Sequence, residues 1–285
     1  MITIKPIGGS LGAEITGVDL RDSLDDSTLE TLHQAFLDYQ AVFFPGQDIG
    51  IGDMSAYVSR FGEPLVHPYL KSAEGYPGVH ELSKSPDEKD TFGNTWHTDF
   101  TNLERPSKVN ALYSVEVPTR GGDTLFMSTY SAYDALSPRL QAILCELDAV
   151  HCHSERYKRD LVAQKARKGS VTREDEDSEK YAAASDTVIH PVVRTHPETN
   201  RKSLYVNRGF TSHFDGMTEA ESKPLLEFLF RHCENPDFGF RYRWEKGTLG
   251  IWDNRCTLHY ATNDYHGERR TMYRMVVLES ERPSR

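Results

Sequence analysis

The sequence predicts a single, mainly β domain: a β-sandwich or barrel with helices packed outside it. Short strand-like segments fill the second half of the chain, and helical segments lie mostly before and between them. No linker and no internal repeat divides the 285 residues, and 38% of them are hydrophobic, which is enough for one large core. We therefore expect residues 1–285 to form one domain.

The first predicted elements are two strands and a helix. Apolar stretches alternate with glycines over the first 20 residues, which predicts a strand, a turn and a strand. A helix follows, for which Ser27 and Glu30 form a candidate capping box, and it extends to about Tyr39. Residues 41–44 then predict a buried strand that ends at Pro45, and residues 53–61 predict a second helix.

The remaining elements are mostly short strands. Helical spacing returns at residues 138–147, and a capping box of Thr218 and Glu221 starts a helix that reaches about His232. We expect strands at residues 109–117, 124–127, 188–194, 203–206, 238–244, 248–252 and 271–279.

Residues 154–187 differ from the rest of the chain in composition. Between Glu155 and Lys180 there are 8 basic and 7 acidic residues, so the segment has mixed charge and is not a nucleic-acid patch. Long insertions in compact domains are usually either functional lids or surface excursions. We expect a mobile insertion here, and both interpretations stay open.

The charge balance favours a small molecule as the partner. Lys and Arg number 33 against 43 Asp and Glu, a net charge of −10, which argues against nucleic acid and anionic membranes. No apolar run approaches the roughly 18 residues of a spanning helix, and the first residues do not resemble a signal peptide. Four cysteines without a C-x-x-C pair predict ordinary reduced thiols. The cytoplasm is the expected compartment.

One motif in the N-terminal region has the same residue pattern as the nucleophile elbow of serine hydrolases. Residues 8–12 match the G-x-S-x-G nucleophile elbow around Ser10. An elbow needs a strand before the serine and a helix after it, whereas residues 13–17 continue as strand and turn. We therefore do not assign Ser10 as a nucleophile.

The pattern that indicates a metal site is a histidine two residues before an aspartate (H-x-D). In an extended segment such residues point to one face and can bind one metal. About one H-x-D pair is expected by chance, and two occur. His213 and Asp215 lie beside a turn and a helix cap, where Asp is expected for local reasons. His97 and Asp99 are instead followed at a distance by His259, which makes them the candidate site.

Two imidazoles and one carboxylate fit a particular kind of metal centre. They form the facial triad of non-haem Fe(II) oxygenases, which leaves three coordination positions open for cosubstrate and oxygen. A structural zinc site would close its shell with four ligands, usually including Cys, and no Cys has suitable spacing here.

Two arginines follow the third candidate ligand. Arg270 and Arg274 are four residues apart on a predicted strand, so they share a face and lie about 13 Å apart. That separation is too large for one carboxylate. We expect each guanidinium to bind its own anion.

With these residues in view, the chain resembles the taurine dioxygenase/2,4-D dioxygenase (TauD/TfdA) family of Fe(II)- and 2-oxoglutarate-dependent dioxygenases. The resemblance extends from Leu11 to Arg274 and implies a double-stranded β-helix, or jelly roll. The matching motifs are Trp96-His97-Thr98-Asp99, Gly121-Gly122-Asp123-Thr124, His190-Pro191, Tyr205-Val206-Asn207, and Trp252-Asp253-Asn254-Arg255 with His259.

The resemblance also implies roles for these residues. His97, Asp99 and His259 would bind iron, and Thr124 and Arg270 would hold the distal carboxylate of 2-oxoglutarate. Such enzymes use O2 to convert 2-oxoglutarate to succinate and CO2 while they hydroxylate the substrate. Hydroxylation next to a heteroatom gives an adduct that collapses and releases sulfite, sulfate or a phenol. Relatives are commonly dimers or tetramers, so a homo-oligomer is expected.

The substrate implied by the resemblance is a small organic anion, with a taurine-like sulfonate as the leading expectation. His67 and Arg274 match positions that contact the sulfonate or sulfate group in the family. Other positions depart from the taurine pattern. Tyr69, Gly93 and Tyr157 are still the further residues expected to contact the substrate, although Tyr69 is one residue early, Gly93 replaces an asparagine, and the family's Ser-Phe pair is absent around Tyr157.

Alternative substrates and functions follow from these departures. Alkylsulfates remain open, and residues 70–77 and 216–228 look more like the aryloxyalkanoate members, whose carboxylate Arg274 could equally bind. A non-catalytic jelly-roll binding protein is the remote alternative. It would tolerate the loss of a ligand, yet the three candidate ligands and Arg270 occur together.

Overall fold

The computed structural model of the chain describes residues 1–67, 70–89, 91, 93–152 and 187–285. Tyr69 and Tyr157, two of the predicted substrate contacts, lie outside the described residues. The predicted lid also lies outside them, apart from its last residue, Thr187.

A seven-stranded sheet forms the centre of the fold. Its strand order is β1-β2-β3-β13-β5-β15-β4, and every pair in it is antiparallel except β2 with β3. The strands are β1 (Thr3–Pro6), β2 (Ala13–Thr16), β3 (Ala41–Phe44), β4 (Val79–Lys84), β5 (Ser107–Glu116), β13 (Leu249–Asp253) and β15 (Arg270–Leu278).

Three smaller sheets complete the β structure. One has the order β12-β6-β14, a second has the order β11-β7-β8, and the third pairs β10 with β9. These strands are β6 (Thr124–Ser128), β7 (Asp148–His151), β8 (Val188–Pro191), β9 (Val193–Thr195), β10 (Lys202–Leu204), β11 (Thr211–Phe214), β12 (Gly239–Tyr242) and β14 (Thr257–Ala261).

The middle of the large sheet is buried on both faces, and β3 shows why. Phe43 points to the small β12-β6-β14 sheet and stacks on Tyr242 with ring centroids 3.6 Å apart. Val42 and Phe44 point to the opposite face, where helices cover them. Because successive side chains of a strand alternate between faces, a strand with both faces covered is apolar throughout. The two facing sheets form the predicted jelly roll.

Five α-helices are described, and two of them cover the outer face of the large sheet. These are α1 (Asp26–Tyr39) and α2 (Ile51–Val58), and a 3-10 turn at Ser59–Phe61 follows α2. Their side chains pack into one core with β3, β5, β13 and β15. The other three are α3 (Thr129–Asp134), α4 (Pro138–Cys145) and α5 (Glu219–Cys233), which share a second core with β9 and β10. None of the helices described is long and apolar enough to cross a membrane.

The helix caps confirm one prediction and correct another. Thr218 and Glu221 form the predicted capping box at the start of α5. The box predicted for α1 is wrong, because α1 begins at Asp26 and Asp25 caps it by accepting from the Thr28 amide. Ser27 lies inside the first turn, and its hydroxyl donates to Asp25 instead. An aspartate upstream thus takes the role that Ser27 was expected to have.

Ser10 lies in the turn between β1 and β2, in agreement with the sequence argument against an elbow. Its hydroxyl donates to the carbonyl of Asp237 at 2.8 Å. A strand, β2, follows the turn, so the strand-turn-helix geometry of a nucleophile elbow is not formed.

Candidate metal centre

Two histidines distant in sequence meet through their backbones. The amide of His97 donates to the carbonyl of His259 at 3.1 Å, and the amide of His259 donates back to the carbonyl of His97 at 2.9 Å. This isolated antiparallel bridge joins β14 to the loop that carries His97. The two imidazole rings consequently lie side by side, with centroids 4.2 Å apart.

Asp99 completes the group. Its Oδ1 lies 3.6 Å from His97 Nε2, and its Oδ2 lies 3.4 Å from His259 Nε2. Asp99 and His259 are buried, 12% of the His97 side chain is exposed, and one potential ligand atom from each residue lies within 4.8 Å of the others. The structure therefore brings together the three residues that the sequence predicted as metal ligands.

Hydrogen bonding sets the tautomer of His97. Its Nδ1 lies 2.6 Å from the carbonyl oxygen of Thr95. Because a carbonyl can only accept, Nδ1 carries the proton, and the lone pair of Nε2 faces Asp99 in the neutral ring. Metal-binding histidines are commonly oriented in this way, by a second hydrogen bond from the other ring nitrogen.

Charge states in the group also suit a divalent metal. Burial lowers the pKa of His259 to about 4, so its imidazole is neutral at pH 7. Burial alone would raise the pKa of Asp99, but the Arg274 guanidinium beside it holds that pKa well below its usual range. Neutral imidazoles and an ionised carboxylate form the donor set that non-haem Fe(II) requires, so the residues present fit iron.

Asp99 has two further partners. Arg274 Nη2 lies 2.7 Å from Asp99 Oδ2, and the side-chain amide of Asn110 donates to the same oxygen. Both partners are buried, Arg274 on β15 and Asn110 on β5. Sequence reasoning missed Asn110, although a polar residue between Val109 and Ala111 in a buried strand was an available signal.

A second buried group resembles the first in composition. His196, Asp253 and Cys256 also place ligand atoms within 4.8 Å of one another. However, Arg255 binds both oxygens of Asp253, with Nε at 2.8 Å from Oδ1 and Nη2 at 2.7 Å from Oδ2. Burial raises the pKa of the Cys256 thiol well above its usual value, so the thiol stays protonated. This second group is a closed ion-pair network with no oxygen of Asp253 left for a cation.

The segment predicted to bind 2-oxoglutarate lies at the start of β6. Thr124 is its first residue, and the Thr124 hydroxyl accepts from the indole nitrogen of Trp244 at 2.9 Å. Arg270, the first residue of β15, donates from Nε to the carbonyl of Gly122 at 3.1 Å. Gly122 has a φ of +70°, and a Cβ there would lie 2.8 Å from Pro118, so only glycine allows this close approach.

A charged network that sequence reasoning missed holds this segment. Asp264 Oδ1 accepts from the Gly122 amide at 2.9 Å, and Asp264 Oδ2 lies 2.7 Å from Arg241 Nη2. Arg241 also binds Asp123 through Nε at 2.5 Å. The backbone before Thr124 is therefore held by groups that come from β12 and from the loop after β14, in addition to Arg270.

The predicted substrate residues that are described lie around the triad. His67 is buried, its Nδ1 accepts from the Leu70 amide at 3.2 Å, and its ring centroid is 5.3 Å from that of Phe100. Phe100 also contacts Arg274, whose guanidinium carbon is 5.8 Å from the ring centroid. Gly93 lies against His97, since a Cβ there would be 3.5 Å from His97 Cε1.

Two buried histidines hold the chain that follows Asp99. His151 Nδ1 lies 3.0 Å from the Thr101 hydroxyl, and His190 Nε2 lies 2.9 Å from the carbonyl oxygen of Leu103. Burial lowers the pKa of both rings, that of His190 to about 4, so both are neutral at pH 7. Phe100, between Asp99 and this anchored stretch, has a φ of +56°, a conformation that non-glycine residues keep only where their surroundings enforce it.

Comparison with known proteins gives a consistent result. The sequence profile of the family described as taurine catabolism dioxygenase TauD, TfdA matches residues 3–276. An alkylsulfatase of Acinetobacter baylyi is 32% identical over 98% of this chain and 86% of its own length. An alpha-ketoglutarate-dependent sulfate ester dioxygenase of Pseudomonas putida is 33% identical over 99% and 91%. The crystal structure of a taurine dioxygenase from Burkholderia xenovorans superposes with a TM-score of 0.79 at 32% identity, over 98% of this chain and 90% of that one.

Proposed function

Because the chain belongs to the TauD/TfdA family of 2-oxoglutarate-dependent dioxygenases, we propose that it hydroxylates a small organosulfur anion at the carbon next to the heteroatom. The anion is an alkyl sulfonate or an alkyl sulfate ester, and the products are an aldehyde with sulfite or sulfate. The observation that carries this proposal is the buried Arg274 guanidinium beside Asp99.

The cofactor roles are those that the family resemblance implies, and the geometry above supports them. His97, Asp99 and His259 would hold Fe(II), and Thr124 with Arg270 would hold the distal carboxylate of 2-oxoglutarate. When bound, iron, 2-oxoglutarate and O2 together supply the oxidising chemistry, and the protein supplies orientation and a dry pocket. Burial lowers the pKa of Arg270, but arginine stays charged in proteins, so this guanidinium keeps its charge for a carboxylate.

Arg274 has donors to spare for a substrate anion. A guanidinium has five N–H donors, and Asp99 and Asn110 both contact the same nitrogen, Nη2. The remaining donors can bind two oxygens of a sulfonate or sulfate group. His67 would line the same anion site, because its ring centroid lies 5.3 Å from that of Phe100, which in turn contacts Arg274.

Gly93 argues for an alkyl chain and against an amine in the substrate. It lies against His97 and has no side chain, so it offers no side-chain partner to an ammonium group beside the metal. A buried ammonium without partners is costly. An unsubstituted alkyl sulfonate or sulfate avoids this cost, whereas taurine does not.

Aryloxyalkanoates are the second candidate, favoured by one observation. The Phe100 ring is 3% exposed and lies between His67 and Arg274, which gives the anion site an aromatic wall. Arginine binds carboxylates as well as sulfonates, and an aryl group can pack on an aromatic ring.

Succinate formation tests both candidates. The purified protein is incubated under air with Fe(II), ascorbate and 2-oxoglutarate, together with taurine, alkylsulfonates, alkylsulfates or aryloxyalkanoates. Sulfite, sulfate and phenol are measured as leaving groups. We expect succinate to rise with alkylsulfonates or alkylsulfates in a one-to-one ratio with sulfite or sulfate. Phenol release would favour the second candidate, and no rise with any class would overturn both.

We further propose that residues 1–285 act as one domain, in the cytoplasm, as a homodimer or homotetramer that binds neither nucleic acid nor membranes. The net charge of −10 supports the last point. Light scattering after size exclusion, with and without duplex DNA, tests the oligomeric state and the absence of nucleic-acid binding together.

A further inference from the structure

Asn110 is a fully buried amide at the centre of the large sheet. It lies on β5, between Trp252 of β13 and Val276 of β15 in the strand register. Its neighbours Val109 and Ala111 point to the helix-covered face, so the Asn110 side chain points to the opposite face, toward the metal centre.

The amide bridges two groups of opposite charge. Its nitrogen donates to Asp99 Oδ2, and its oxygen accepts from Arg274 Nη2 at 3.5 Å. A carboxylate can only accept and a guanidinium can only donate, so chemistry fixes this orientation of the amide. Asn110, Asp99 and Arg274 therefore form a closed triangle, in which Arg274 also contacts Asp99 directly.

We propose that Asn110 is a positioning residue that orients the Asp99 carboxylate for the metal and holds Arg274 in place for the substrate anion. Both partners in the triangle use Asp99 Oδ2, so Oδ1, which faces His97 Nε2, is the oxygen left for the metal. One-oxygen binding by Asp99 keeps three metal positions open. The inference rests on the proposed function, because it assigns Asp99 to the metal and Arg274 to the substrate.

A packing role alone does not explain this residue. An apolar side chain would fill the same position on β5 without the cost of burying an amide. The amide is instead satisfied on both ends by the residues that the proposed function uses. Removal of an outer-shell partner of a metal ligand typically costs 10- to 100-fold in metal affinity or activity.

The test compares Asn110→Val with the wild-type protein. Valine keeps a branched strand side chain and removes both hydrogen bonds. Co(II), which is stable in air and reports on the site by absorption, is titrated into each metal-free protein. We expect the Co(II) Kd to rise about 10- to 100-fold and the prime-substrate KM to rise about 10-fold, while the KM for 2-oxoglutarate stays within about twofold.

Ser114→Ala is the matched control. Ser114 lies four residues further along β5, is buried, and donates to the backbone at Glu245 and Thr248. Its loss should lower Tm without changing the Co(II) Kd or the substrate KM.

The outcomes separate this inference from the proposed function. If wild-type protein binds Co(II) and forms succinate while Asn110→Val matches it in Kd and KM, the positioning role is overturned. If the wild type itself neither binds Co(II) nor forms succinate, the proposed function is overturned, and so is the positioning role that rests on it. Should Asn110→Val not fold, Asn110→Leu keeps the side-chain shape and can neither donate to Asp99 nor accept from Arg274. An unchanged substrate KM in that variant overturns the role, and a rise of about 10-fold supports it.

Discussion

The group of His97, Asp99 and His259 differs from the group of His196, Asp253 and Cys256 less in composition than in how many acceptor sites remain unused. In the second group Arg255 occupies both oxygens of Asp253, and His196 uses Nε2 for Asp253 and Nδ1 for two backbone amides. In the first group Arg274 occupies one oxygen of Asp99, and His97 keeps a lone pair. Similar donor atoms thus make an ion-pair network in one place and a candidate metal centre in the other, according to how many acceptor sites neighbouring donors already use.

The largest expected effect comes from removing the Asp99 carboxylate of the candidate metal centre. Asp99→Ala should abolish iron-dependent succinate formation, a loss of at least about 10³-fold, because the metal loses one of three ligands. Coupled succinate assays with bound iron measured in parallel check this. Ser10→Ala is the control and should keep full activity, and the reverse pattern of the two variants would refute the oxygenase interpretation.

Disrupting the ion-pair network around Asp253 should lower the stability of the fold without changing metal binding. Asp253→Ala leaves Arg255 buried without its main partner, and such a change typically costs about 3–5 kcal/mol in the free energy of unfolding. Denaturant unfolding measures the loss. The fraction that stays folded should bind Co(II) as tightly as the wild type, and a parallel loss of Co(II) affinity would contradict the division between the two groups.

The N–H donors of Arg274 that Asp99 and Asn110 do not use provide a third test, of which anion each arginine binds. Arg274→Ala should raise the prime-substrate KM at least about 10-fold and leave the KM for 2-oxoglutarate nearly unchanged. Arg270→Ala should do the opposite, since this guanidinium lies at the 2-oxoglutarate segment. Steady-state kinetics in both substrates distinguish the variants. Equal effects of either variant on both KM values would show that the two anions are wrongly assigned.

The smallest expected effect is at Glu198, a partly exposed residue that pairs with Arg255 of the same ion-pair network. Hydrogen bonds from His33 and Arg255 lower the pKa of Glu198 below its ordinary value of 4.5. A carboxylate with a lowered folded-state pKa stabilises the fold above its unfolded pKa, and this contribution is lost as the pH falls below about 4.5. Glu198→Gln should therefore cost about 1 kcal/mol at pH 7, because the pair is partly exposed, and less at pH 3. Urea unfolding at both pH values checks this, and an equal cost at both would contradict it.

The sequence was sufficient to predict the three residues of the candidate metal centre but not their neighbours. His97 and Asp99 are two apart and His259 lies in a motif, so pattern and resemblance found them. Asn110 and Asp264 act through contacts that depend on strand register and loop path, and nothing in their local sequence indicates which group they meet. The strand β14 was also not predicted, although it carries His259, because five residues without clear alternation give little local signal.

The backbone bridge between His97 and His259 has a consequence for how the protein acquires its metal. His97 and His259, the two candidate ligands farthest apart in sequence, are joined by reciprocal backbone hydrogen bonds, so a metal does not have to bring them together. Chelators should therefore withdraw the ion from a folded protein, and the emptied protein should accept Fe(II), Co(II) or Mn(II) in turn without refolding. Metal availability, and not the folding pathway, would then determine which ion the protein carries.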